Sequence, residues 1–519
     1  MPSHRSCLFL LLVVILVVMA LNGEVHGYRS LENIFSKLKY IKERLEPKHD
    51  DPNRKPMTQT ERIENIFDSV YINHSKPLEY GVVVVINKQG DVLFKKSYGE
   101  KDPFIGVDET TDPLDDIFSI SEVTTTFTAT SIMQLYESKL VEFDDNVNKY
   151  LPEELHFVNK IIGGYSSILR TPSIDTNESL TLTSILTHTA GLDGREIGSC
   201  STQAPVEEEV NTPSKYLSNY LLSMNTPRIR ASGFASSFST IGYSTLGLVI
   251  ERAANLSFHD YLNKNILGPA KMENTFNRYT KRRVGDLDSF VLPIIPPTSS
   301  EESGEPNLLE VNPNFCWYTT GITPAVGMYS TTRDMARWVL THLNFGLVIP
   351  SDLDKTRSNE TRRIFSHKAA EIMYAEHFSS HPNCSITTGY GWNIEKKSSV
   401  KYLTSQGSFM HPYYSRIAVF HDQGVGIAIL GRGKHLMWDL GFDLFVDKFI
   451  EKIPCHERKT IPGFNTTFVE NNLGICAYSL KMDTIPPFSD DFNYITKYRY
   501  VDDRQLHVLI RQQWLLRHA

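Results

Sequence analysis

Apolar positions along this chain change period several times, and each change marks a predicted element. Residues 28–48 place Leu31, Ile34, Phe35, Leu38, Ile41 and Leu45 at helical spacing, predicting an amphipathic N-terminal helix. Residues 49–57, with Pro52 and Pro56, predict a linker, and a second helix is predicted over 59–75. The β-branched run Val82–Ile86, the turn residues Asn87–Gly90 and the segment Val92–Phe94 predict a hairpin. Its turn is longer than the tightest two-residue form. A helix-like segment at 123–138 is followed by acidic, loop-rich sequence, then by shorter periodic segments at 179–187 and 213–224. Helices are predicted at 242–254 and 257–267, and residues 286–320, rich in Pro, Ser, Glu and Asn, predict a surface loop. Met335, Trp338, Val339 and Leu343 share one side of a predicted helix over 331–345. After a charged, exposed interval at 350–362, three strand-like runs follow at 390–394, 414–420 and 425–430. The turn His421–Gly424 joins the last two, and a helix over 436–450 would lie against them.

An early hairpin, a helix-rich middle and late antiparallel strands predict an α+β fold. Helices should flank a sheet whose edges come from both ends of the domain. The predicted organisation is a leader at 1–27, helix and linker at 28–58, a main domain at 59–452 and an extension at 453–519. With 519 residues the chain can bury a large core. Its 41% hydrophobic and 22% charged content are ordinary for a globular protein. A formal charge of −7 offers no basic field for phosphates, which argues against nucleic acid as a partner.

The first 27 residues differ in kind. His4 and Arg5 precede the uncharged run Cys7–Leu21, and Val25-His26-Gly27 offers small residues before Tyr28. This pattern predicts a cleaved secretory signal peptide, because the run is shorter than the roughly 20 residues that span a bilayer. A retained signal anchor is the alternative. Cleavage would leave Cys200, Cys316, Cys384, Cys455 and Cys476, so one or two disulfides are expected, with one cysteine left over. Sequons at Asn73, Asn177, Asn255, Asn359, Asn383 and Asn465 are expected glycosylation sites on an extracellular surface. No cofactor or metal site is expected, since no His/Cys cluster has zinc-ligand spacing.

Several ordered motifs carry a resemblance. They are the hairpin Gly81–Gly99 ending in Tyr98-Gly99, the segment Phe118–Thr130, and Ile132–Leu135 with Lys139-Leu140. Asp144–Pro152, Thr183–Leu192, Pro324–Met328 with Ser330–Ala336, and Tyr390–Trp392 complete the set. Together, over about 60–452, they resemble the serine β-lactamase-like and penicillin-binding-protein-like family. The resemblance implies an antiparallel sheet flanked by helices, with a helical subdomain. It also implies acyl transfer, in which a serine attacks a carbonyl, a lysine three residues on assists and backbone amides hold the oxyanion.

This chain departs from that chemistry at three places. Glu122 stands where the family has its serine, and Thr125 where it has its lysine. In the family's tyrosine–any–asparagine element, Phe238 and Thr240 replace the functional residues, with Tyr243 as a packing residue one turn on. Gln406 is the match to the basic residue before a strand glycine, with the register open by one or two residues. Ser119 and Ser121 have no lysine three residues downstream.

Bland readings suit the remaining candidates. His188 reads as a buried structural histidine, Asp144 and Asp145 as a solvated loop, and Trp338 and Trp392 as packing residues. Glu122 reads as a helix cap first and as a contact for a cationic group second. Lys271–Arg283 and Lys355–Arg363 read as surface charge, with an acidic polymer or matrix as the alternative contact. The expectation is a secreted, glycosylated, non-catalytic protein with a structural or binding role. Secreted animal proteins similar to it include the gigasins of mollusc shell matrix. Its partner would be an extracellular protein, polymer or matrix component, with no membrane once the leader is removed. The alternative is a secreted esterase or amidase with a rewired site.

Overall fold

The computed structural model divides into two units, Met1–Thr58 and Gln59–Ala519, and the account below concerns the second. Described residues are 57–72, 79–101, 112–158, 160–162, 173–175, 178–192, 200–201, 228, 231–276, 291, 294–295, 310–311, 317–318, 322–354, 360–379, 385–397, 399–408, 413–433 and 435–453. The leader, the helix at 28–48, the segment 213–224 and the extension from 454 onward lie outside them. So do Cys316, Cys384, Cys455, Cys476 and every sequon asparagine except Asn255.

The elements that build the domain are α1 (Gln59–Tyr71), β1 (Tyr80–Asn87), β2 (Val92–Gly99), β3 (Ile117–Ser119), α2 (Thr125–Glu137) and α3 (Leu182–Leu186). They continue with α4 (Thr240–Ala254), β4 (Tyr329–Thr331), α5 (Thr332–Leu343), β5 (Ile386–Thr388) and β6 (Asn393–Lys397). The last are β7 (Val400–Gly407), β8 (Tyr413–Phe420), β9 (Val425–Arg432) and α6 (His435–Lys448). A seven-stranded sheet runs in the order β5-β6-β7-β8-β9-β1-β2. Every neighbouring pair is antiparallel. The early hairpin joins the late strands through β1 and β9, so the two ends of the domain do supply the two sides of the sheet.

Side chains alternate across this sheet and fill two apolar layers. Val82, Val84, Leu403, Ile417, Val419, Ala428 and Leu430 face the layer that includes α2, α4 and α5. Val83, Val85, Tyr402, Tyr414, Ala418, Ile427 and Ile429 face α1 and α6. The central strands are covered on both faces, which explains why Val82–Ile86 and Ile427–Leu430 read as continuous apolar runs. Each fully buried Val, Leu, Ile or Phe contributes about 1.5–3 kcal/mol, against about 0–1 kcal/mol for an exposed ion pair, so these layers dominate the stability. A glycine pair shapes the second layer. Gly81 and Gly431 stand opposite one another, and a Cβ on either would fall 2.4–2.7 Å from the Trp438 ring of α6.

The structure corrects several predicted boundaries. Helix α1 ends at Tyr71 rather than 75. The segment at 257–267 is an α-helical turn, Phe258–Leu262, continued by a wider π-helical turn, Asn263–Leu267. The strand predicted at 390–394 begins only at Asn393, because Gly391 has φ +73 and bends the chain before it. The eight-residue strand β7 was not among the predicted runs. Its sequence mixes Lys401, Thr404, Ser405 and Gln406 with apolar residues, so it shows neither a clean run nor a clean alternation.

Candidate functional site

The site forms where the N-terminal end of α2 meets the end of β7. Strand β3 pairs with β4, and Ile120 N–H donates to Met328 O at 3.0 Å, fixing the chain that enters the turn. Ser121 then adopts φ +46, left-handed backbone that a non-glycine residue seldom takes. A 3-10 turn over Ser121–Thr124 leads into α2. The Thr125 hydroxyl donates to Glu122 O at 2.8 Å and the Thr126 hydroxyl to Val123 O at 2.8 Å, closing the first turns. Thr126 also accepts from Trp338 Nε1 at 2.9 Å, while that indole stacks on Phe127 with centroids 4.4 Å apart. Trp338 therefore packs, as its sequence context implies, and so does fully buried Trp392.

Glu122 does not cap this turn. Ile120 occupies the cap position without a side-chain cap bond. The Glu122 carboxylate instead crosses to β7, where Oε2 accepts from Ser408 N–H at 2.7 Å. The close approach depends on Gly407: a Cβ there would lie 2.6 Å from Ile120 O and 2.9 Å from Glu122 N. Ser415, the pairing partner of Gly407 on β8, donates from its hydroxyl to Ile120 O at 2.7 Å. Two adjacent strands are thereby tied to the turn that carries Glu122.

Gln406 is not at this junction. It pairs with Arg416, whose guanidinium reaches Asp439 of α6 at 3.2 Å and lies over the Phe442 ring. Strand parity puts both on the α1/α6 face. Ser405 pairs with Ile417 on the opposite face and, like Leu403, shares the α2 side with Gly407. The one-residue shift lies within the register left open by the sequence, and parity with Leu403 is the signal that points to Ser405. Ser408 was missed because its contribution is a backbone N–H, which any residue type would supply.

The α4 element lies beside its own histidine. Ser239 caps α4, its hydroxyl accepting from Gly242 N–H at 3.1 Å, and its N–H donates to His188 Nδ1 at 3.4 Å. The His188 ring packs 4.9 Å from Phe238 and 4.7 Å from Tyr243. Burial pushes its imidazole down to about 3, which keeps the ring neutral and its Nδ1 an acceptor. Thr240 is buried in the first turn, and among the described residues its hydroxyl has no hydrogen-bond partner. Tyr243 donates to Leu186 O at 2.8 Å, and burial raises its pKa well above the usual range. Gly391 lies against α2, where a Cβ on it would stand 2.5 Å from Ala129 Cβ and 3.0 Å from Thr125 O.

Glu122 and Thr125 are brought together with Gly407, Ser408 and Ser415, whereas Phe238 packs on His188 and Thr240 opens α4 beside it in sequence. Ser119 is buried with no hydrogen-bond partner for its hydroxyl among the described residues, and Ser121 is 1% exposed. Asp145 does more than sit in a solvated loop, since it accepts from Glu142 N–H at 3.0 Å, from Lys149 at 2.9 Å and from the Tyr150 hydroxyl. Lys271 pairs with Asp354 at 3.3 Å and Arg362 with Glu360 at 2.9 Å, so these charges are partnered. Among the described residues no group of three or more His, Cys, Asp or Glu is placed to hold a metal ion.

The beta-lactamase family model matches residues 76–447. Among curated relatives, Protein flp of Staphylococcus aureus (strain MRSA252) is 22% identical over 420 residues, covering 80% of this chain and 67% of that protein. Beta-lactamase-like protein 2 of Dictyostelium discoideum is 27% identical over 290 residues, covering 52% of this chain and 43% of that protein. The octameric penicillin-binding protein homologue from Pyrococcus abyssi superposes with a TM-score of 0.53 at 20% identity, covering 76% of this chain and 78% of that one. D-amino acid amidase from Ochrobactrum anthropi SV3, complexed with L-phenylalanine, gives 0.52 at 15% identity, covering 75% and 98%. At these identities the solved structures show the shared fold: an antiparallel sheet with flanking helices, α+β in class.

Proposed function

The chain belongs to the beta-lactamase family, and from that premise we propose that it is a member without acyl-transfer chemistry, acting through its surface or its remnant pocket. The carrying observation is the Glu122 carboxylate on Ser408 N–H at 2.7 Å. A serine nucleophile is replaced by an acid, and that acid spends an oxygen on a backbone donor. An oxyanion forming there would meet a negative charge in place of an empty donor. Thr125 supplies no base, because its hydroxyl holds its proton near neutral pH and donates to Glu122 O. Ser405, on the α2 side of β7, brings no positive charge either. Covalent catalysis needs an oxygen nucleophile beside a group that takes its proton, and at the two positions where the family supplies that pair this chain carries Glu122 and Thr125.

We place the protein outside the cell as a glycosylated component of an extracellular matrix. The sequence pattern of the first 27 residues supports export, and the sequons support glycosylation. Asn255 supports it further as an exposed residue at the left-handed end of α4, clear of the core. The similarity to shell-matrix gigasins motivates the matrix as destination, with an extracellular protein or polymer as partner. Among the described residues no helix is long and apolar enough to cross a membrane.

Purified secreted protein should turn over short-chain nitrophenyl esters and D-amino acid amides no faster than buffer. Turnover that a Glu122→Gln substitution abolishes would instead establish a rewired hydrolase.

A further inference from the structure

The contact between Glu122 and Ser408 has a consequence for ligands. A carboxylate oxygen and an N–H at 2.7 Å make a charge-assisted hydrogen bond, stronger than a neutral one. Strand pairing, not the carboxylate, positions the donor: β7 and β8 remain in register through Gly407–Ser415, and Ser415 ties β8 to Ile120 O at 2.7 Å. The strand end is pressed against the turn because residue 407 has no Cβ; one would sit 2.6 Å from Ile120 O. A donor fixed in advance by the backbone is what a small anion needs, since binding then costs little reorganisation.

We propose that this junction is an anion cradle occupied by the protein's own Glu122 carboxylate. The wild-type cleft therefore excludes carboxylate ligands, and a small external carboxylate takes the vacated place once the side chain is removed. The inference rests on the reading of Glu122 as an unreactive occupant. It adds the chemical class that the cradle accepts, a monoanionic carboxylate.

Acetate is the probe. Thermal unfolding is followed in sodium acetate and in sodium chloride at equal ionic strength for wild type, Glu122→Ala and Glu122→Gln. Acetate should raise the Tm of the alanine variant by on the order of 1 °C over chloride, because a ligand binding only the folded state stabilises it. Wild type should not respond, nor should the glutamine variant, whose amide oxygen still accepts from Ser408. Equal acetate effects on all three proteins, or none on a folded alanine variant, would overturn the proposal.

Should the alanine variant not fold, ¹⁵N-serine labelling reads the cradle directly. The Ser408 amide, identified by its loss in Ser408→Ala, should move upfield from wild type to Glu122→Gln as a charged acceptor becomes neutral. An unmoved resonance counts against the cradle. Acetate binding forms no covalent bond, so the two readings fail separately. Ester turnover with intact acetate rescue would retire the non-catalytic reading alone, and absent rescue without turnover would retire the cradle alone.

Discussion

A single glycine decides whether the acid at the head of α2 reaches the strand. A Cβ on Gly407 would fall 2.6 Å from Ile120 O, 2.6 Å from the Ser415 hydroxyl and 2.9 Å from Glu122 N, so the position admits hydrogen but no methyl group. Gly407→Ala should therefore force the turn and β7 apart, at a cost of about 1–3 kcal/mol typical of overpacking. The midpoint of urea unfolding should fall accordingly, and the Ser408 amide should lose the shift that Glu122 imposes. An unchanged midpoint would mean that the approach is loose. At this scale the sequence was informative about identities and weak about directions. Glu122, Thr125, Phe238 and Thr240 could be singled out from their order among recognisable neighbours. That Gln406 points toward α6 while Ser405 faces α2 depends on pairing with Arg416 and Ile417, partners some ten positions away in sequence.

Among the elements, buried histidines couple packing to pH. Burial lowers His188 to about 3 and His421 to about 4, and it holds His342 well below the ordinary range. The contacts agree with neutral rings: His188 Nδ1 lies 3.4 Å from Ser239 N–H, and His342 Nδ1 lies 2.7 Å from the Tyr374 hydroxyl. In the unfolded chain these imidazoles titrate near about 6.5. As pH falls below that value the unfolded state takes up protons first, and the native state loses stability. The contribution is complete above about 6.5, declines on acidification and is gone once pH has passed below the folded values. The Tm should therefore drop between pH 6.5 and 5, above the range of ordinary carboxylates. A flat or rising Tm across that interval would mean that these rings are charged in the fold. Element types were legible wherever burial was simple, as in the Val82–Ile86 run and the one-sided pattern of α5. Strand β7 was not, because one face carries Tyr402 into the α1/α6 layer while the other carries site residues.

For the whole molecule, fold and chemistry separate cleanly. The family's sheet order and helix layers depend on dispersed apolar positions, which tolerate replacement as long as volume and pattern persist. Acyl transfer depends on a few atoms at one junction, and those are the positions replaced here. The fold was therefore readable from motifs spread along the chain. The occupied cradle was not, because it joins a side chain and a backbone N–H 286 residues apart. The most direct test is intact-mass analysis of the purified protein after prolonged incubation with a β-lactam in excess. No increase in mass is expected. A stoichiometric acyl adduct mapped to Ser119, Ser121 or Glu122 would contradict the account.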